Sequence, residues 1–456
     1  MKPTARQLNR LFYVSFILGL CVTAFLLPFD RWAGHIGPVS MLSASLLLLF
    51  PWGVTEAFRT SRSRKNSIYF GLSIMAILLA VVLSLSHAIS SSYAISGIMI
   101  LVFLLVRSWL IGSATDKRGL ALFESVLLAI SLLVVGFGYF QFIADLLGFP
   151  QAVTHLLPRY SSQSTFIIPR VQSTALEPLY LANFLFIPLG ILIARFIKVG
   201  HINKWWEIAF FVATLFLFIS TVSRGAILGL IVAFIIMAFG LLHRFSIVKK
   251  LALPAVGVVT IAVLIMAAIA FQYTQQNAVK ETVGIPRSAQ QAITHLIDFN
   301  DRSANTRYEL WPKAIDAVKT SPLTGVGFYS SRIFIHQEQY RAETPVAELQ
   351  PLNNDYLGWL ADTGLIGVIL SLPLIVLVVQ KSWQIIRGRC QSLATPYLFA
   401  LTGMAVQAAT FHSMLLLRLW VVLGVFFAAD RLYNSTNQQP NETSSLPQDR
   451  KNNSTI

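Results

Sequence analysis

The sequence predicts an all-α polytopic membrane protein, with about 12 transmembrane helices and a large, partly helical loop late in the chain. Three observations carry that prediction. The 456 residues are 55% hydrophobic and only 12% charged, whereas a soluble domain is about a quarter charged. Apolar runs near the roughly 20 residues needed to cross a bilayer recur along the chain. The net charge of +15 is also unevenly placed, because most Lys and Arg sit in alternate short connections and at the termini. That is the positive-inside pattern, so the basicity points to membrane topology and no nucleic-acid partner.

Taken in order, the spans fall at about 10–29, 37–57, 68–88, 92–112, 120–148 and 176–197. Three more follow at 205–222, 226–242 and 250–272, and the last three at 365–380, 394–411 and 413–432. The first run ends Phe25-Leu-Leu-Pro-Phe-Asp30 without a small-residue cleavage site, which reads as a retained span. Basic connections at Arg59/Arg62/Arg64/Lys65, Arg107/Lys117/Arg118, Arg195/Lys198/Lys204, Arg244/Lys249/Lys250 and Lys381/Arg387/Arg389 put both termini in the cytoplasm. Residues 1–272 then hold spans one to nine, and 273–354 form the large loop on the outer, periplasmic face of a bacterial inner membrane. Residues 355–433 hold an interfacial helix and the last three spans, and the polar tail 434–456 is expected to be disordered. Cys21 and Cys390 lie in the first span and in a basic loop, so no disulfide framework is implied.

The outer loops carry the chemistry. The large one balances eight Lys/Arg against eight Asp/Glu, unlike the basic cytoplasmic connections. Thr306-Arg307-Tyr308-Glu309 fits a capping box. A helix starting there would turn Leu310, Ala314, Ala317 and Val318 to one face, with Pro312 kinking it or marking its true start. Ser321-Pro322 ends it before the glycine turn Leu323-Thr-Gly-Val-Gly327. Asn353-Asn354 offers an N-cap for a short helix, Asp355 to Asp362, in which Asp355, Trp359 and Asp362 share a face. Thr363-Gly364 breaks it, and Tyr356 and Trp359 suit a membrane boundary.

Arg170 ends the smaller outer loop, Arg224 sits in the turn Ser220-Thr-Val-Ser-Arg-Gly225, and Arg307 opens the helix of the large loop. Each alone reads as a snorkelling interfacial arginine. Together they would make a polyanion site at the membrane surface, since guanidinium pairs bidentately with phosphate. A saccharide carried on a polyprenyl diphosphate presents that anion. As its glycosidic bond to the diphosphate breaks, charge grows on the leaving group, where fixed arginines stabilise the transition state.

Ser223-Arg224-Gly225, Arg307-x-Glu-Leu-Trp311, Pro322-Leu-Thr-Gly-Val-Gly327 and Asn354-Asp-Tyr-Leu357 with Gly364-Leu-Ile-Gly367 resemble the O-antigen ligase and O-antigen polymerase superfamily. The resemblance runs from about Arg170 to Gly367. It implies a GT-C-like fold and a metal-independent, inverting glycosyltransferase without a cofactor. The donor would be an undecaprenyl-diphosphate-linked glycan, and the acceptor a second glycan or lipid A-core. Membrane lipid, a chain-length regulator and other polysaccharide-assembly proteins are its implied partners. Arg170, Arg224 and Arg307 stand where family members carry functional arginines.

One position departs from the pattern. The family commonly has a histidine directly before the Asn-Asp-Tyr-Leu segment, proposed to activate the acceptor hydroxyl, and Asn353 holds that place here. Asparagine can orient a hydroxyl but cannot take its proton. Glu177, His336, Asp355 and His412 are the candidate substitutes, and Tyr356 and Arg418 join them as candidate substrate contacts. The departure tilts the reading toward a polymerase over a ligase. A transporter or flippase for lipid-linked or anionic solutes is the alternative from another class, with Asp145 as its main intramembrane candidate. A catalytically inactive family member is the third reading.

Overall fold

The computed structural model describes residues 5–29, 38–63, 65–162, 169–199, 205–242, 302–336, 349, 352–388 and 390–437. The ninth predicted span, at 250–272, lies outside the described residues. The described chain is helical throughout, without strands. In order, its α-helices are α1 (Ala5–Leu26), α2 (Pro38–Ser63), α3 (Lys65–Ser84), α4 (Ser91–Ala114), α5 (Lys117–Leu146), α6 (Gln151–Thr154) and α7 (Pro178–Val199). They continue with α8 (Trp205–Ser220), α9 (Arg224–Leu242), α10 (Arg302–Thr320), α11 (Ser331–Ile335), α12 (Asp355–Arg387), α13 (Thr395–Ala408) and α14 (Leu417–Asn437). Seven of them are long and apolar enough to cross a membrane, and α8 is a shorter apolar helix. This is a multi-pass, all-α membrane protein.

The helices run up and down, so two sets of connections collect at the two ends of the bundle. One end gathers the finish of α5, α8 and α13 with the start of α7, α9, α12 and α14, and it carries α10 and α11. The principal packed pairs are α1 with α2, α2 with α4, α4 with α14, α3 with α12, and α13 with both α7 and α9. Wedged between two neighbours, α13 is buried on nearly every side, as its continuous apolar composition requires. One core runs through the bundle and includes Phe16, Phe70, Phe123, Phe186, Phe399 and Phe426.

Lipid competes poorly for polar groups, so buried polar contacts fix which helices pair. Asn183 Nδ2 of α7 donates to Gln407 Oε1 of α13 at 2.8 Å. Lys381 Nζ of α12 meets Asp430 of α14 at 3.1 Å, with both side chains under a tenth exposed. That pair lies at the end of the bundle away from α10 and α11.

Thr306 is not the start of its helix. Helix α10 begins at Arg302, and Thr306 lies inside it. Proline at 312 removes one backbone donor, yet the helix continues through it. Leu310, Ala314 and Ala317 are buried and supply the packing that propensity lacks. Leu310 and Ala314 join Ile335 and Leu352, while Ala317 joins Val326 and Ala361. The helix does end at Thr320, ahead of Ser321-Pro322.

Candidate active site at the loop-bearing end

The smaller outer loop is anchored first. Asp145, at the end of α5, accepts from Ser161 Oγ at 2.7 Å and from the Ser162 N–H at 2.8 Å. The carboxylate that stood out as a candidate for intramembrane transport is thus the foot of a loop. The loop holds Tyr160 buried, with the Arg159 and Arg170 guanidiniums over its ring at 4.9 and 5.5 Å. Burial, with the Glu177 carboxylate adding to it, pushes the Tyr160 hydroxyl up to about 12, so the ring stays neutral between two cations. Arg159 Nη2 in turn donates to Glu177 Oε1 at 2.8 Å, at the foot of α7.

Arg170 reaches across to the α8–α9 turn. Its Nε donates to the Thr221 carbonyl at 3.2 Å and its Nη2 to the Val222 carbonyl at 3.4 Å. Val222 has φ 50°, which tightens the turn. Arg224 follows as the first residue of α9. Two of the three predicted arginines therefore meet at one turn. The third, Arg307, lies on the backbone of α10 one helical turn before Leu310 and Trp311; its side chain is outside the described residues.

The glycine turn 322–327 docks on a break in α12. Gly364 (φ 64°, ψ −166°) interrupts the helix and separates the segment from Asp355 to Thr363 from the apolar run beyond. Two bonds clamp the break, Leu365 N–H to the Pro322 carbonyl at 2.9 Å and Ile366 N–H to the Leu323 carbonyl at 3.0 Å. Val326 N–H donates to the Ala361 carbonyl at 2.9 Å on the same helix, and Ile89 N–H to the Val326 carbonyl at 3.1 Å ties the turn to the end of α3. The Thr-Gly-Val-Gly and Thr-Gly-Leu-Ile-Gly segments are two halves of one joint.

That joint holds the first segment of α12 over the bundle end, and the segment supplies one wall of a cleft. Asn354 caps the helix, accepting from Leu357 N–H at 3.0 Å, and Asn353 before it has φ 51°. Asn tolerates that left-handed conformation better than most residues. The shared face is as expected: Asp355, Trp359 and Asp362 are all buried and all line the cleft, which has about 420 Å³ of empty volume in part open to solvent. The opposite walls are Tyr329 and Arg332 beside α11, and His412, Met414 and Leu415 in the α13–α14 connection.

The cleft contains a paired histidine. His412 Nδ1 lies 3.1 Å from Asp355 Oδ1. The other carboxylate oxygen of Asp355 accepts from Ser413 N–H at 2.8 Å and from Ser413 Oγ at 2.6 Å, which fixes the connection on α12. His412 Nε2 is buried and has no hydrogen-bond partner among the described residues. Asp362 accepts from Ser331 N–H at 2.9 Å.

Cleft and arginine turn are neighbours. Gly225, directly after Arg224, packs so closely on Thr410 that a Cβ there would come within 1.9 Å of the Thr410 hydroxyl. His412 is two residues further on. Tyr356 is exposed and donates its hydroxyl to the Ala405 carbonyl of α13 at 2.7 Å. Arg418 is 1% exposed and donates to the Tyr180 carbonyl of α7 at 2.8 Å, with Phe411 against the Tyr180 ring. His336 caps α11 and is half-buried. Sequence reasoning missed Arg332, whose guanidinium stacks over Tyr329 at 4.7 Å on the cleft wall. Nothing in its local sequence marks it apart from other loop arginines.

Residues 209–372, from α8 to the middle of α12, match the family model described as O-antigen ligase. That matched segment is similar to the O-antigen ligase family. No curated protein matches the chain. The O-antigen ligase segment contains Arg224, Arg307, the glycine joint, Asn353 and Asp355. The site extends beyond it, since Arg170 and Glu177 precede the matched segment and His412 and Arg418 follow it.

Proposed function

We propose that this chain transfers or polymerises saccharide from undecaprenyl diphosphate at the periplasmic face of a bacterial inner membrane, in surface polysaccharide or lipopolysaccharide assembly. The observation that supports this best is the attachment of Arg170 to the turn that presents Arg224. It sets two permanent cations beside a cleft at one end of a membrane bundle. A carrier lipid would keep its tail among the helices and its diphosphate against these guanidiniums. An acceptor hydroxyl attacks the anomeric carbon from the side opposite the diphosphate, which inverts that centre. The carbon–oxygen bond to the diphosphate breaks with its electron pair on the leaving oxygen. Charge therefore rises where the arginines already stand, and a preorganised cation needs no reorganisation to meet it.

Polymerase is the favoured form, with a second lipid-linked glycan as acceptor, because Asn353 replaces the histidine of the usual ligase pattern. Deletion of the gene in its host, followed by gel resolution of surface and lipid-linked glycan, tests the reading. Single unpolymerised repeat units are the expected result, and return of R170A or R224A on a plasmid leaves that defect in place. Full-length chains stranded on the carrier lipid would make the enzyme a ligase. An unchanged glycan profile would refute transfer and bring a transporter forward.

A further inference from the structure

We infer that His412, oriented by Asp355, is the base that takes the proton from the acceptor hydroxyl. The inference rests on the transferase reading and assigns to a different part of the chain the task that Asn353 cannot perform. Asn353 has its backbone in the left-handed region at the start of α12, and it is not among the residues lining the cleft. The other sequence candidates are otherwise engaged. Glu177 is taken up by the Arg159 guanidinium, 2.8 Å away. His336 terminates α11, outside the residues that line the cleft.

His412 meets three conditions at once. It lines the cleft, its Nδ1 stands 3.1 Å from Oδ1 of a buried carboxylate, an oxygen that itself has no hydrogen-bond donor among the described residues, and its Nε2 is a buried nitrogen without a hydrogen-bond partner among them. An unsatisfied buried polar atom is destabilising and calls for a reason. A hydroxyl entering the cleft supplies the missing partner. With the ring proton on Nδ1 facing Asp355, Nε2 carries the lone pair a base needs. Met414 and Leu415 form the adjoining wall.

The position also suits the reaction. Gly225 packs on Thr410, which brings the connection bearing His412 against the helix start bearing Arg224. Leaving-group cations and acceptor base thus come from adjacent segments. In the step, the acceptor oxygen forms the bond to the anomeric carbon as the bond to the diphosphate oxygen breaks. The acceptor proton passes to His412 Nε2, the resulting imidazolium is balanced by Asp355, and the proton then leaves to water. Asp355 is a positioning residue, held by both Ser413 contacts. The other charged and titratable groups lining the cleft with this ring are Asp362 of α12, Arg332 of α11 and Tyr329 just before it; Arg418 of α14 is turned to the Tyr180 ring instead.

Native membranes from the deletion host, each containing one full-length variant and the host's own lipid-linked glycan, are assayed for glycan transfer from pH 5 to 9. H412Q is expected to lose at least about 100-fold in rate, in the range a general base supplies, with normal abundance and melting temperature. D355N, which keeps the shape but removes the carboxylate facing Nδ1, is expected to lower the rate at unchanged KM with normal abundance, and D355E to restore part of it. H412Q retaining a rate within threefold of wild type, while R224A abolishes transfer, overturns the base and leaves the transferase reading standing. Retained transfer in both variants removes the transferase reading itself. Should H412Q fail to accumulate, D355N decides alone: a wild-type rate in D355N overturns the proposal.

Discussion

Arg170 shows why one residue type is required here. Its Nε and Nη2 reach two consecutive carbonyls, those of Thr221 and Val222, from a single planar fork. A lysine presents one compact charge on a flexible stem and cannot span both. R170K is therefore expected to behave like R170A, with a loss on the order of 10- to 100-fold in glycan transfer, as for a removed charge-assisted bond. Complementation of the deletion host, read by gel, checks this; wild-type transfer in R170K would mean that charge alone suffices. Arg170, Arg224, Asp355 and His412 were all legible as chemistry-bearing residues. That His412 and Asp355 touch was not legible, because they lie 57 positions apart and meet only where the α13–α14 connection folds onto α12. Arg332 was missed for a related reason. Its cleft position is set by α11, a single turn of helix with no periodic signal of its own.

At the scale of elements, the joint between the 322–327 turn and α12 carries the site. Gly325 has φ 70°, and a Cβ there would stand 2.3 Å from the Asp362 carbonyl carbon; Gly364, at φ 64°, is equally crowded by the Leu323 carbonyl. Both clashes are with backbone, which cannot swing aside. G325A is expected to lower the melting temperature in detergent and to abolish transfer, since it pries the turn from the segment bearing Asp355, Trp359 and Asp362. Gly136 of α5 is the control, with nothing within 4 Å of its added Cβ. G136A should be neutral or stabilising by up to about 1 kcal/mol, the helix preference of Ala over Gly. Equal melting temperatures for the two variants would remove the joint as a structural necessity. The break was legible in Thr363-Gly364 and the buried face of α10 in its apolar spacing. The start of α10 was not, because a local capping pattern at Thr306 does not exclude a helix that begins one turn earlier, at Arg302.

For the whole molecule, the same alternation of charge that marks the spans predicts the side of the membrane on which the site lies. Helices occupy every predicted span that falls within the described residues, because about 20 apolar residues per crossing is a constraint the bilayer imposes on sequence directly. Contacts between spans are not so written: nothing in the chain announces that Lys381 pairs with Asp430 or Asn183 with Gln407. Orientation is the physical premise on which donor, acceptor and arginines share a compartment, and it can be tested without substrate. With Cys21 and Cys390 changed to serine, L323C places a thiol at a position 60% exposed on the glycine turn. G388C places one at the exposed connection after α12, at the opposite end of the bundle. In cells with a permeabilised outer membrane and an intact inner one, a membrane-impermeant maleimide should label L323C and spare G388C until the inner membrane is lysed. The reverse pattern would put the arginine turn and the His412 cleft in the cytoplasm. No periplasmic transfer could then be sustained, however well the residues fit the chemistry.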